Sequence, residues 1–128
     1  MTVRYVLDTT FVIDHLRDDP AAIRRFASFF EEGHEVFVNE VVVSEAWAGA
    51  HLAGDRDLEA LLQVIEFVQP GPVHARAAGR WRAEALARGW TLSLPDALIA
   101  ACADSLDAAV LTRNTRDFAL TSVRVETY

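Results

Sequence analysis

Residues 4–16, RYVLDTTFVIDHL, decide how this chain is read. Arg4 to Leu7 is a short β-favouring run, and TTFVIDHLRDD reads as a helix that Thr9 or Thr10 could cap. Between them stands Asp8. An ionised carboxylate beside an apolar strand is costly to desolvate unless something compensates it. Capping the helix is one role open to Asp8. Its compensation has to come from elsewhere in the chain.

Outward from this stretch, short strands alternate with helices. Pro20 opens a helix on which Ile23, Phe26, Phe29 and Phe30 recur at helical spacing, and Gly33 stops it. EVFV is a second strand, followed by the helix NEVVVSEAWAGAHLAG. Asp55 can cap a helix RDLEALLQVIEFV that runs up to the break at Pro70-Gly71-Pro72. A long Arg-bearing helix spans about Val73 to Arg88 and closes at Gly89. Pro95 suits the first turn of PDALIAACADSL. AAVLT is a further strand, Asn114 and Asp117 fall in a turn that Phe118 anchors, and VRVETY reads as a last edge strand. Strands separated by helices imply βαβ units and a parallel sheet covered on both faces, an α/β/α sandwich spanning residues 1–128 as one domain. Ligands of such sheets gather at the carboxyl ends of the strands, near the switch point in strand order.

Composition narrows the chemistry. The 128 residues are 52% hydrophobic, enough for one buried core, and no signal peptide or membrane span is visible, so a soluble cytoplasmic protein is expected. The single cysteine, Cys102, lies in the apolar run ALIAACA and reads as a small core residue. The four histidines, His15, His34, His51 and His74, are scattered without ligand spacing. The net charge is −7 and all twelve basic residues are arginine. An acidic chain is a poor generic nucleic-acid binder, so phosphate handling requires local Arg clusters or metal ions. With no lysine, a P-loop is excluded, and no dinucleotide fingerprint occurs.

Four acids stand out. Asp8 ends the first strand. Glu45 falls on a helix face with Val41, Val42, Ala48, Gly49 and Leu52, which would put an acid on the apolar stripe, while Ala46, Ala48, Gly49 and Ala50 would admit a close neighbour. Asp96 opens a helix whose next residues are apolar on every side, although an acid in a first turn also suits the helix dipole. Asp117, with Asn114, leaves the end of the strand AAVLT, in a loop where both residue types are common. If the fold brings these acids together, they repel one another unless a cation joins them. Oxygen donors without clustered His or Cys point to Mg²⁺ or Mn²⁺.

The segments LDTTFVIDHL, SEAWAG, PDALIAACA and LTRNTRDF, in this order, resemble the PIN-domain ribonucleases, in particular the VapC-type toxins of bacterial toxin–antitoxin pairs. The resemblance covers essentially the whole chain. It implies that Asp8, Glu45, Asp96 and Asp117 are the family's four acids, with Thr9, Thr112 and Asn114 as the polar neighbours that orient them. Family members differ in whether position 114 or 117 faces the metal, and here 114 is Asn. The implied function is metal-dependent hydrolysis of RNA with one or two ions. No Ser-His-Asp or Cys-His nucleophilic set is evident, and two ions about 3.5–4 Å apart can clamp the attacking and leaving oxygens. Asp8 and Asp96 are then the direct ligands, Glu45 a ligand or water orienter, and Asp117 an outer ligand.

Arg113 and Arg116 flank the last acid and are candidates for phosphate contact; Arg76 and Arg80, one helical turn apart, with Arg82 and Arg88 could form a backbone track. The resemblance also implies a homodimer and a cognate VapB-like antitoxin that wraps the toxin and places a basic side chain in the acidic site. An exposed part of the Phe26, Phe29 and Phe30 face would suit docking of its amphipathic helix. Two other phosphate-handling classes place an Asp after their first strand. A receiver domain needs a late Lys and paired acids, and a haloacid-dehalogenase-like enzyme needs Asp-x-Asp, whereas this chain has DTT and no Lys. A catalytically silent PIN-like domain that binds RNA or protein is the remaining alternative.

Overall fold

Tyr5, Val6 and Leu7 form the centre of a five-stranded sheet in the computed structural model, which describes residues 1–50 and 55–128. In chain order the elements are β1 (Arg4–Leu7), α1 (Thr9–Leu16), α2 (Pro20–Glu31), β2 (Glu35–Val38), α3 (Glu40–Ala50), α4 (Asp55–Gln63), β3 (Glu66–Phe67), α5 (Pro72–Ala87), α6 (Leu94–Leu106), β4 (Ala109–Leu111), α7 (Thr115–Phe118) and β5 (Arg124–Glu126). The strand order is β3-β2-β1-β4-β5, and every pairing is parallel.

Successive side chains of a strand point to opposite faces, so a strand buried at every position is covered on both sides. Tyr5 to Leu7, Val36 to Val38 and Ala109 to Leu111 are all buried, as helices on both faces require. The edges are different. Glu66 and Phe67 of β3 are exposed, and β5 is exposed or half-buried. Short, partly charged edges of this kind resist pairing with another chain.

The structure corrects the sequence reading in two places. VIEFV does not continue α4: Glu66 and Phe67 pair in parallel with Phe37 and Val38, and Val68 N–H donates to the Val38 carbonyl at 2.9 Å. Two residues are too few for a periodicity to register, and neighbouring Val64 and Ile65 extend the helical pattern on paper. The apolar stripe of α3 is also displaced. Val42, Ala46 and Ala50 are its buried residues, at a spacing of four, while Glu45, Ala48 and Gly49 are exposed. Leu52 of the expected stripe, and His51, lie outside the described residues.

Other expectations hold. Residues 72–87, 94–106 and 124–126 form the expected helices and edge strand. Gly33 ends α2 with φ +74°, a conformation that glycine adopts without strain. Cys102 is fully buried, and burial pushes its thiol up to about 11, which makes it inert core. His15 packs edge-on against Phe26, and His34 accepts a hydrogen bond from the Val3 N–H. Gly49 lies where α1 packs on α3, and a Cβ there would stand 3.2 Å from the Ile13 Cδ1, which would have to shift slightly. Among the described residues, no helix is long and apolar enough to cross a membrane.

Phe118 is fully buried and ties the one-turn α7 to the core. Phe118→Ala is expected to cost about 3–5 kcal/mol in urea unfolding, the range for an aromatic side chain removed from a packed interior.

Candidate active site

From β1 the strand order runs through β2 to β3 on one side and restarts at β4 on the other. The switch point is therefore the β1–β4 pair, whose carboxyl ends carry Asp8 and Thr112. The Asp8 N–H donates to the Leu111 carbonyl at 3.1 Å, extending the ladder by one residue, and the Asp8 carbonyl then accepts from Phe11 and Val12 to start α1. One residue thus closes the strand and opens the helix.

Asp8 is only 3% exposed. Its Oδ1 accepts from the Thr9 N–H at 2.7 Å, and its Oδ2 accepts from the Thr10 and Thr112 hydroxyls at 2.9 and 2.7 Å. Burial raises its pKa, and these three donors pull it back toward the charged form. Asp8 is itself the N-cap of α1, in place of Thr9 or Thr10. Cap and site residue are the same side chain.

The other acids surround this carboxylate. Thr9, whose amide holds Asp8, donates its hydroxyl to Glu45 Oε1 at 2.7 Å. The rotation that takes Glu45 off the apolar stripe of α3 turns it to this edge. Asp96 lies in the first turn of α6, its N–H donating to the Ser93 Oγ at 3.2 Å. Burial, then the charge of Asp8, raise the Asp96 pKa to about 6; Asp117 and Glu45 add to the shift, and Ser93 opposes it. Asn114 joins the remaining pair: its amide donates to Asp96 Oδ2 at 3.3 Å and to Asp117 Oδ2 at 3.0 Å, while its own N–H donates to the Thr112 Oγ1 at 2.8 Å. Thr9, Thr112 and Asn114 therefore link the four acids into one network.

The donors on this edge are oxygens alone, a set that matches hard divalent cations and no soft metal. Among the described residues, no hydrogen bond reaches the second carboxyl oxygen of Glu45 or Asp117. Nor do any three acidic, His or Cys side chains among them stand close enough together to hold an ion as placed. The arrangement is a convergence of acids with free lone pairs, and its mutual repulsion is what a cation would relieve.

The arginines are distributed otherwise than the sequence suggested. Arg113 turns away from the acids. Its guanidinium pairs with Asp14 at 3.2 Å and Asp19 at 3.0 Å and lies 4.4 Å from the Tyr128 ring centroid, while the Tyr128 hydroxyl donates to Asp14 at 2.6 Å. These partners draw Arg113 toward α1 and the start of α2. Arg76, Arg80 and Arg88 are exposed on and just beyond α5, and no described contact links them to the acidic edge. Arg82 donates to the Leu92 carbonyl. Arg116 is the arginine placed beside the site, sharing a cavity wall with Asp117.

The sequence matches the PIN domain family over residues 5–123. The chain belongs to the PIN domain family. All four acids of this PIN domain fall inside the matched span. The PIN domain is 34% identical over 113 residues to Ribonuclease VapC19 of Mycobacterium tuberculosis, covering 88% of the chain and 90% of that relative. Its backbone is similar to that in a DNA-bound VapBC structure from Salmonella typhimurium, with TM-score 0.82, 27% identity and 98% coverage of both chains. It also matches VapBC2 of Rickettsia felis bound to a promoter DNA fragment, with TM-score 0.86, 18% identity and coverage of 98% and 99%.

Thr10 and Ser93 escaped the reading of the PIN domain's sequence as site residues, as did the Asp14–Tyr128 support. The DTT triplet carried a signal for Thr10, since a hydroxyl two residues after an Asp reaches its carboxylate. Nothing local announces Tyr128, whose partner is 114 residues away.

A carboxyl whose folded pKa is raised binds more protons folded than unfolded, so stability falls as pH rises between the unfolded and folded values. For Asp96 that window runs from about 4 to about 6. In chelator, the protein is expected to lose about 1–2 kcal/mol across it, the shift being discounted for solvent screening. Asp96→Asn should flatten this loss in urea titrations at pH 4.5 and 7.5. Thr112→Val is expected to destabilise by about 1–3 kcal/mol at pH 8 and by less at pH 4, where Asp8 gains a proton.

Proposed function

We propose that this PIN domain is an endoribonuclease that hydrolyses RNA phosphodiester bonds with Mg²⁺ or Mn²⁺, as the toxin of a toxin–antitoxin pair. The observation that carries the proposal is the convergence of Asp8, Glu45, Asp96 and Asp117, from four separate segments, on the switch-point edge of the sheet. The relative named a ribonuclease and the VapBC neighbours support the same reading.

Asp8 and Asp96 are the side chains we assign to hold the cation directly, with Glu45 and Asp117 completing the set. A bound divalent ion stabilises charge on the phosphoryl oxygens and favours deprotonation of water at neutral pH. The chain's own residues do the rest. Three donors favour the charged form of Asp8 against its burial and fix its orientation, so it enters the reaction without reorganising. The Thr9 hydroxyl orients Glu45, whose free oxygen is the site for a proton from the attacking water. The Asn114 amide keeps Asp96 and Asp117 aimed at a common region.

The implied partner is a VapB-like antitoxin. Two features favour it: a cluster of acids that a basic side chain would neutralise, and an apolar patch on α2. Phe26 and Phe29 are core, but Ile23 and Phe30 are 37% and 51% exposed and available to an amphipathic helix. A homodimer is part of the same proposal.

RNA cleavage by antitoxin-free protein in Mg²⁺ or Mn²⁺ tests the reading. Wild type is expected to cleave and EDTA to stop it. Asp8→Asn and Asp96→Asn should each lose about 100-fold or more, and Asn114→Ala about 10–100-fold, the range for residues that orient ligands. A wild type without cleavage, or mutants that cleave undiminished, would favour the catalytically silent alternative or an unrelated nuclease.

A further inference from the structure

Beyond the acids lies a feature that the proposed chemistry does not use. The helix α5 ends in a Schellman turn: the Gly89 N–H donates to the Leu86 carbonyl at 3.0 Å and the Trp90 N–H to the Ala85 carbonyl at 2.9 Å, with Gly89 at φ +81°. In such turns the residue after the glycine commonly packs back on its helix. Trp90 faces α5 across a cleft lined by Gly79, Ala83 and Leu86, yet stays 47% exposed. Downstream, Leu92 is 2% exposed and Ser93 caps α6, so the loop is anchored at both ends and the indole stands out between them.

Beside the indole is Arg116, its guanidinium carbon 5.7 Å from the ring centroid. Arg116 makes no ion pair among the described residues. Trp90, Thr91, Arg116, Asp117 and Leu120 line an open cavity of about 370 Å³, at the lower end of the ligand-pocket range. Asp117 belongs equally to the acidic network through Asn114. The cavity and the acidic network thus share Asp117.

We propose that Trp90 and Arg116 form a stacking subsite for one unpaired nucleobase of the RNA, next to the phosphodiester bond that is cut. This rests on the ribonuclease reading above and adds to it a determinant of where the enzyme cuts. Every base has a π-face, and proteins read single-stranded RNA by stacking bases on aromatic rings and on guanidinium planes. The Arg116–Trp90 pair offers both. The Arg116 charge, held by no ion pair among the described residues, meets the flanking phosphate, whereas Arg113 is engaged with Asp14 and Asp19. Thr91 supplies a hydroxyl at the wall, where hydrogen bonding distinguishes one base edge from another. In an acidic chain, a pinned indole with a free cation beside it is a low-entropy way to hold a polyanion that the surrounding charge repels.

The test uses fluorescein-labelled single-stranded RNA 12-mers of randomised sequence. Binding is measured by anisotropy in EDTA, and cleaved ends are sequenced after reaction in Mn²⁺. Trp90→Ala is expected to weaken binding about tenfold, as for one lost base stack, and to level a nucleotide preference beside the cut. Trp90→Phe should keep the preference and stay within about threefold of wild type. An abasic residue at the preferred position should weaken wild type as much as Trp90→Ala does and add nothing to that variant. Wild-type affinity and preference retained in Trp90→Ala would overturn the subsite and leave the ribonuclease reading standing. So would a change of oligomeric mass without a change in RNA affinity, which would assign Trp90 to a contact between copies. Absence of RNA binding and cleavage in wild type would overturn both.

Discussion

The Asp8 carboxylate and the three donors around it are the constraint from which the site follows. A nearly buried carboxylate survives only where hydrogen bonds replace its lost water. Here the donors come from the helix that follows it, Thr9 and Thr10, and from Thr112 at the end of a neighbouring strand. The same bonds that make Asp8 tolerable fix the register of two chain segments against each other. Through Thr9 the constraint reaches Glu45, and through Thr112 it reaches Asn114, hence Asp96 and Asp117. The polar network and the β1–β4 ladder are one construction.

Much of this was legible in the sequence. RYVL, EVFV and AAVLT read as strands because fully buried parallel strands leave uninterrupted apolar runs. Pro20 and Pro95 mark helix starts for local reasons that tertiary contacts do not override, whereas Pro72, read as part of a break, opens α5. The order of LDTT, SEAWAG, PDAL and LTRNTRDF was enough to resemble a family, and the fold agrees with it. The two-residue β3 was illegible, because its pairing partner lies elsewhere in the chain and its own pattern continues a helix.

At the site, residue type was legible and direction was not. Glu45 was singled out for lying on an apolar stripe, yet it is exposed, and the true stripe is offset by about one residue, or about 100°. It is from this exposed face that Glu45 meets the Thr9 hydroxyl. Arg113 also points in a direction that its sequence neighbours do not reveal. Standing next to the acids in sequence, it suggested phosphate contact, whereas in space its charge is absorbed by Asp14 and Asp19. A neighbour in sequence tells which residue is near, and only packing tells which way it points.

The bond from Thr112 to Asp8 spans 104 residues, and the acids it organises lie at positions 8, 45, 96 and 117. No fragment that ends before Asp117 can gather all four, and none that ends before Thr112 can satisfy the buried carboxylate of the first strand. During synthesis the nascent chain emerges with Asp8 early and its partner 104 residues later. The growing polypeptide is therefore without its assembled acidic edge until Asp117 has left the ribosome, so any phosphodiester chemistry waits on the last of the four acids.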